Sequence, residues 1–155
     1  MNFIKNDVRF GAFTTFIRYI NYETVPGDLV EIGVYTGRSL AMISLAQEEY
    51  MKNCIHAYNM RSVIGIDSFQ GLAENCHPRW NTGIFQTNHS NHPIIEKGES
   101  VTKEKVLEFF EFLKLPKPTI ICKDITKDSD SLTSPIALIH IDCDLYEPCL
   151  KILQE

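Results

Sequence analysis

Four short runs of aliphatic and β-branched residues divide the chain. They predict four strands, at Leu29–Ile32, Val63–Ile66, Thr119–Cys122 and Ile136–Ile141. Three of the runs are apolar without clean alternation, and a single polar residue interrupts the first and the last. This pattern is typical of strands that are covered on both faces of a parallel sheet.

The segments between these strands show helical periodicity instead. Apolar residues at three- and four-residue spacing predict helices at Phe10–Tyr22, Arg38–Lys52 and Val101–Lys114, and a further helix from about Glu147. Strands that alternate with helices indicate βαβ units and an open α/β sheet. A length of 155 residues fits one such domain.

One long segment, Ala73–Ser100, fits neither pattern, since it is polar and contains several histidines, prolines and glycines. A long irregular segment inside a compact domain is usually a functional lid, and we predict a lid here. Zinc binding by Cys76, His77, His89 and His92 is an alternative, although histidines in loops are far more often solvated.

The first strand runs into the pattern ExGxxxG, from Glu31 to Gly37, directly before a helix. Gly33 permits a sharp turn, Gly37 permits a close approach where the helix starts, and the first N–H groups of that helix favour a polar ligand. A nicotinamide dinucleotide fingerprint reads GxGxxG, so the second glycine here comes too late for that class of oxidoreductase. The carboxylate of Glu31 suits a ligand with an ammonium group better than one with a pyrophosphate.

The second strand ends at Asp67, an acid placed to accept hydrogen bonds from both hydroxyls of a ribose. Together with Glu31 it predicts an adenosine-containing ligand at the switch point of the sheet. The alternative is an ordinary strand–turn–helix junction with no ligand.

The fourth strand is followed by two acids, Asp142 and Asp144, which point the same way if the chain is extended. Paired carboxylates are hard oxygen ligands that suit Mg²⁺ or Ca²⁺ better than zinc. The alternative is a solvated strand end in which Asp144 caps the helix that follows.

Three sequence blocks are similar to those of a known protein family. They are VPGDLVEIGV at 25–34, DSFQGL at 67–72 and HIDCDLYE at 140–147. In this order they resemble the macrocin O-methyltransferase (TylF-type) family, whose members methylate sugar hydroxyls on macrolide and aminocoumarin natural products. The resemblance runs from about Val25 to Leu153. It implies a Rossmann-like class I methyltransferase domain over residues 1–155, with strand order 3-2-1-4.

The resemblance also implies a site and a reaction. S-adenosylmethionine would be held by Glu31, Gly33, Tyr35, Thr36, Gly37, Ser39, Asp67 and Ser68. Asp142 would be the general base and, with Asp144, a ligand of Mg²⁺, for in-line transfer of the methyl group to a sugar hydroxyl of a small-molecule acceptor. Family members continue into a fifth strand that ends in paired aspartates. We therefore expect the N-terminal portion of a longer enzyme; the alternative is a non-catalytic cofactor-binding remnant that assembles with a partner.

Composition narrows the class of partner and the compartment. The 15 basic and 20 acidic residues give a net charge of −5, and the basic residues are scattered, which argues against nucleic acid or an anionic membrane as partner. No apolar run approaches the roughly 20 residues of a membrane span, no cleavable leader is visible, and the five cysteines form no CxxC pair. We predict a cytoplasmic protein, and homo-oligomers are compatible with this sequence.

Overall fold

The computed structural model of the chain describes residues 2–54, 60–72, 83–124, 134–144, 149–150 and 153. Its elements are α1 (Asn2–Lys5), α2 (Val8–Tyr22), β1 (Asp28–Ile32), α3 (Arg38–Asn53), β2 (Val63–Asp67), α4 (Lys103–Leu113), β3 (Thr119–Cys122) and β4 (Ile136–Ile141). The four predicted strands and three of the predicted helices are confirmed, while the short helix α1 was not predicted. The expected helix start at Glu147 lies outside the described residues, although Cys149, Leu150 and Leu153 are helical.

The described strands form one parallel sheet in the order β3-β2-β1-β4, as predicted. Glu31 of β1 lies opposite Gly65 of β2 on one side and His140 of β4 on the other. Because all four strands run the same way, their carboxyl ends meet at one edge of the sheet. The ends of β1, β2 and β4 therefore bring the predicted site residues together.

The central strand β1 and the edge strand β4 differ in how well they are covered. Leu29, Val30, Glu31 and Ile32 of β1 are all buried, as expected for a strand covered on both faces. Strand β4 instead has no fully buried residue, and Ile139 is 38% exposed. The expectation of full cover is wrong for β4, because among the described strands it pairs only with β1 and lies at the sheet edge.

Two apolar clusters lie on opposite faces of the sheet, since alternate residues of a strand point to opposite sides. The larger one packs α2, α3 and α4 against the sheet and includes Leu29 of β1. The smaller one contains Val30, Ile32 and Ile66. Glu31 alternates with Val30 and Ile32, so its carboxyl group points to the side of the larger cluster, under the helices.

The starts of α2 and α4 are set by polar caps. Asp7 accepts a hydrogen bond from the N–H of Arg9 before α2, and Thr102 accepts one from the N–H of Lys105 before α4. Within the described part of the chain, no helix has the length and apolar character needed to cross a membrane.

Candidate functional site

The turn between β1 and α3, residues 33–37, lies at the carboxyl edge of the sheet. Gly33, Tyr35 and Gly37 all have positive φ, at 87°, 48° and 81°. A Cβ on Gly33 would lie 2.1 Å from the backbone oxygen of Asp142, and one on Gly37 would lie 2.8 Å from Cγ1 of Val106. Both glycines are thus required for packing within the chain, Gly33 against the end of β4 and Gly37 against α4.

Asp67 at the end of β2 holds this turn in place. Its Oδ2 accepts hydrogen bonds from the N–H groups of Val34 and Tyr35, at 2.7 and 2.8 Å, and its Oδ1 accepts one from Phe69 at 2.7 Å. A carboxylate has about four acceptor positions, so three are used by the backbone. Binding of ribose by Asp67 stays a prediction, with room for one further hydrogen bond. Neighbouring Ser68 is half-buried, and its hydroxyl accepts a hydrogen bond from the N–H of Gln70.

Glu31 is completely buried, and its Oε1 lies 2.8 Å from Nδ1 of His140. Its other oxygen, Oε2, makes no hydrogen bond within the described part of the chain. Burial raises the pKa of Glu31, and the contact with His140 is the largest effect that opposes this shift. The same contact with Glu31 raises the pKa of His140, against the effect of burial.

His140 is a site residue that our sequence reasoning did not single out. The available signal was a single polar residue in each of two apolar strands, Glu31 in β1 and His140 in β4. Adjacent strands that each bury one polar side chain tend to pair them, because a buried polar group without a partner is costly. Thr36 and Ser39, both predicted to bind the cofactor, are also buried, at 3% and 6% exposure.

Asp142 and Asp144 follow the end of β4, where the backbone N–H of Asp142 donates to the carbonyl of Ile32. Asp144 has φ 57°, in the left-handed region, so the chain is not extended through both residues as we had assumed. The two acids still interact: burial and the charge of Asp142 raise the pKa of Asp144. Among the described side chains, no group of three or more potential metal ligands comes together.

Residues 83–100, the described part of the predicted lid, form a folded loop around Asn88, which is completely buried. The Nδ2 of Asn88 donates to the carbonyls of Ser90 and Ile95, at 2.9 and 2.6 Å, and its Oδ1 accepts from the N–H of Ser90. Thr87 and Ser100 pair as an isolated antiparallel bridge. We call this segment the 83–100 loop; residues 73–82 lie outside the described residues, and opening as a lid stays a prediction.

The 83–100 loop contacts the turn through Tyr35. The Tyr35 hydroxyl donates to the carbonyl of Thr87 at 3.0 Å and accepts from the N–H of His89 at 2.8 Å. The Tyr35 ring meets Phe85 edge-on at 5.3 Å between centroids. The loop therefore lies directly beside the turn that we predict to bind the cofactor.

His92 forms a second contact of the loop. Its Nδ1 accepts hydrogen bonds from the N–H groups of Ile94 and Ile95, and its ring centroid lies 4.3 Å from that of Phe109 in α4. Burial, followed by the charge of Arg38, lowers the pKa of His92 to about 4. His92 is thus neutral at physiological pH and does not join a described metal cluster, whereas Cys76 and His77 of the zinc alternative lie outside the described residues.

The comparison with known families is decisive. A sequence model of the family described as macrocin-O-methyltransferase (TylF) matches residues 4–155. The chain belongs to the macrocin O-methyltransferase family. No curated protein sequence matches it significantly.

Solved structures confirm the Rossmann-like methyltransferase fold. The O-methyltransferase NovP matches 94% of the chain with a TM-score of 0.66 and 22% identity. CalS11, a calicheamicin methyltransferase, matches 94% with a TM-score of 0.60 and 21% identity. Apo CalS11, described as a TDP-rhamnose 3'-O-methyltransferase, gives a TM-score of 0.51 over 95% of the chain at 19% identity. The chain spans only 57%, 57% and 55% of the lengths of these chains.

Proposed function

We propose that the protein is an S-adenosylmethionine-dependent O-methyltransferase, or the cofactor-binding part of one, that acts on a sugar hydroxyl of a small molecule. The observation that carries the proposal is the Glu31 carboxyl group. It is completely buried at the switch-point end of β1, and its Oε2 has no hydrogen-bond partner among the described residues. A buried oxygen of this kind requires a donor, and the ammonium group of the methionine moiety is a suitable one.

The rest of the turn fits the same cofactor. Gly33, Tyr35, Thr36, Gly37 and Ser39 form the turn and the first residues of α3, whose N–H groups point out of the helix start and favour polar groups. Asp67 has one acceptor position left for a ribose hydroxyl, and Ser68 follows it. When bound, the cofactor supplies an activated methyl group on its sulfonium; the chain orients it and excludes water.

Asp142 is the proposed general base. It lies at the same edge of the sheet, and its carboxylate would accept the proton of the acceptor hydroxyl as the methyl group is transferred. Asp144 beside it has a raised pKa, so a cation at this point would relieve the repulsion between the two acids. Both side chains are hard oxygen ligands and would hold Mg²⁺ through two of its six positions. The ion would supply a positive charge that lowers the pKa of the acceptor hydroxyl.

The sugar class of the acceptor is supported by the relatives. Apo CalS11 is described as a TDP-rhamnose 3'-O-methyltransferase, and the family is defined by macrocin O-methylation. A small, polar acceptor also agrees with the polar side chains of the 83–100 loop.

Ligand binding tests the proposal first. S-adenosylhomocysteine, the demethylated cofactor, is expected to raise the melting temperature, whereas NAD is not. Asp67→Ala should weaken S-adenosylhomocysteine binding by about tenfold or more, because a ribose hydroxyl loses its acceptor and the turn loses its hydrogen bonds to Asp67. The exposed Glu108→Gln serves as the control. Equal stabilisation by NAD, or none by S-adenosylhomocysteine in the protein of full natural length, would reject the cofactor assignment.

Methyl transfer to TDP-rhamnose, followed by mass spectrometry, then tests the acceptor class.

A further inference from the structure

We propose that Tyr35 is a positioning residue that couples the cofactor turn to the 83–100 loop, so that an occupied cofactor site fixes the surface which this loop presents to the acceptor. The inference rests on the proposed function. It goes beyond a contact between Tyr35 and the cofactor, since the Tyr35 hydroxyl is already bonded to the loop.

The backbone of Tyr35 is fixed from the side of the cofactor turn. Its N–H and that of Val34 both donate to Oδ2 of Asp67. Its φ of 48° is in the left-handed region, which strains a residue with a Cβ and is kept only where the surroundings enforce it. The direction of the Tyr35 ring is thus set by the turn and by the end of β2. A shift of this turn on ligand binding would move the ring.

The hydroxyl of Tyr35 ends at the centre of the loop. It bonds the carbonyl of Thr87 and the N–H of His89, the two residues on either side of Asn88. Asn88 is the buried residue whose side chain orders the loop as far as Ile95. One hydroxyl group therefore connects the turn to the hydrogen-bond network that gives the loop its shape.

The loop also has a support that does not use this hydroxyl. The ring of His92 packs on Phe109 of α4, and Val101 at the end of the loop donates its N–H to the carbonyl of Gln86. Loss of the Tyr35 hydroxyl should therefore release the loop from the turn without unfolding it. A variant without this hydroxyl therefore tests the coupling between the turn and the loop while the loop stays folded.

The loop side chains next to the hydrogen bonds of the Tyr35 hydroxyl are exposed and polar. They belong to His89, Ser90 and Asn91. Such groups suit the hydroxyls of a sugar, and the backbone position of His89 depends directly on Tyr35. The loop surface most directly controlled by Tyr35 is therefore the one best suited to contact a sugar acceptor.

Amide hydrogen exchange of Tyr35→Phe tests the coupling, with Tyr22→Phe as matched control because Tyr22 is 83% exposed on α2. Without ligand, Tyr35→Phe should raise exchange at the His89 amide and its loop neighbours at least about tenfold, since that amide loses its acceptor. Tyr22→Phe should leave these rates unchanged. Unchanged loop exchange in Tyr35→Phe would overturn the inference.

The second arm adds S-adenosylhomocysteine. At a concentration that saturates each protein, as judged from its own measured Kd, it should slow exchange across the 83–100 loop in the wild type but not in Tyr35→Phe. In methyl transfer, the KM for TDP-rhamnose should rise more than the KM for the cofactor. Equal slowing in both proteins would overturn the coupling. If Tyr35→Phe fails to fold, His89→Pro removes one of the two hydrogen bonds from the loop side, and exchange at the other amides of the 83–100 loop gives the comparison.

The two arms separate this inference from the proposed function. If S-adenosylhomocysteine fails to bind the wild type, the proposed function and the coupling to its cofactor are both rejected, whatever the first arm shows. If it binds and slows loop exchange equally in Tyr35→Phe, the proposed function stands and only the role of Tyr35 is rejected.

Discussion

Glu31 and His140 occupy opposite positions in the register of β1 and β4, and their side chains are joined by a 2.8 Å contact between Oε1 and Nδ1. The ring of Phe13 from α2 meets the His140 ring edge-on at 5.1 Å, which closes the pair off from one side. This pair links β1 to the edge strand β4 directly beneath the proposed methionine site. It leaves one oxygen of Glu31 for a ligand.

Replacement of His140 should be costly because it leaves a completely buried carboxyl group without a partner. We expect His140→Phe to lower the free energy of unfolding by about 3 kcal/mol, and Glu31→Gln by less. The double variant Glu31→Gln/His140→Phe should lose less free energy of unfolding than the two single variants lose together, since the buried acid is gone. Urea unfolding of the four proteins measures this. Strict additivity would show that the two side chains do not act as a pair.

A backbone prediction concerns Gly33. Alanine there would place Cβ 2.1 Å from the carbonyl oxygen of Asp142 at a φ of 87°, and a backbone atom cannot move aside easily. We expect Gly33→Ala to lower the free energy of unfolding by at least about 3 kcal/mol, from left-handed strain together with overpacking.

Gly11 provides the matched control, since it lies within α2 and an added Cβ meets nothing within 4 Å. Gly11→Ala should stabilise the protein by about 0.5–1 kcal/mol, because alanine favours a helix interior. Thermal and urea unfolding compare the two. Similar effects of both variants would contradict the packing of the turn against β4.

The strands could be predicted from sequence because each is a short apolar run between polar residues. The bounds of α4 differed by one or two residues, because Thr102 acts as the N-cap and Lys114 adopts the left-handed conformation beyond its end. The short helix α1 has only four residues, too few for a periodic pattern, although Ile4 is buried in the core.

The site was predictable as a set of strand ends but not in its contacts. The sequence places Asp67 at the end of β2, yet its bonds to the N–H groups of Val34 and Tyr35 depend on the left-handed backbone of the turn. The sequence predicted the 83–100 loop only as part of a polar lid segment. Asn88 looks like any loop asparagine, and its burial follows from hydrogen bonds to residues two to eight positions away.

The lowered pKa of His92 makes stability depend on pH. Its pKa is about 4 when folded and 6.5 when unfolded, so the unfolded chain takes up the proton first as the pH falls. The contribution of His92 is complete above pH 6.5 and is lost between 6.5 and 4. We expect this contribution to be about 1–2 kcal/mol, because the ring is only half-buried and solvent screens its charge.

Two variants isolate this effect. The free energy of unfolding of His92→Gln, measured by urea titration at several pH values, should fall less steeply than that of the wild type between pH 6.5 and 4. His89→Gln, at an exposed histidine of the same loop, should follow the wild type. Parallel curves for His92→Gln and the wild type would show that His92 titrates normally in the folded protein.

The last prediction concerns Asp142 and Asp144, which differ in role although they are neighbours. Asp142 is proposed as base and metal ligand, whereas Asp144 would hold only the metal. Asp142→Asn should therefore reduce methyl transfer at least about 100-fold at any Mg²⁺ concentration, because an amide cannot accept the proton. Asp144→Asn should reduce it at low Mg²⁺ and recover as Mg²⁺ is raised, since only affinity for the ion is weakened. Transfer to TDP-rhamnose is measured in the protein of full natural length across a Mg²⁺ series and with excess chelator. Activity that ignores the chelator would reject the metal site and leave the methyltransferase assignment intact, while rescue of Asp142→Asn by Mg²⁺ would show that its carboxylate is not the base.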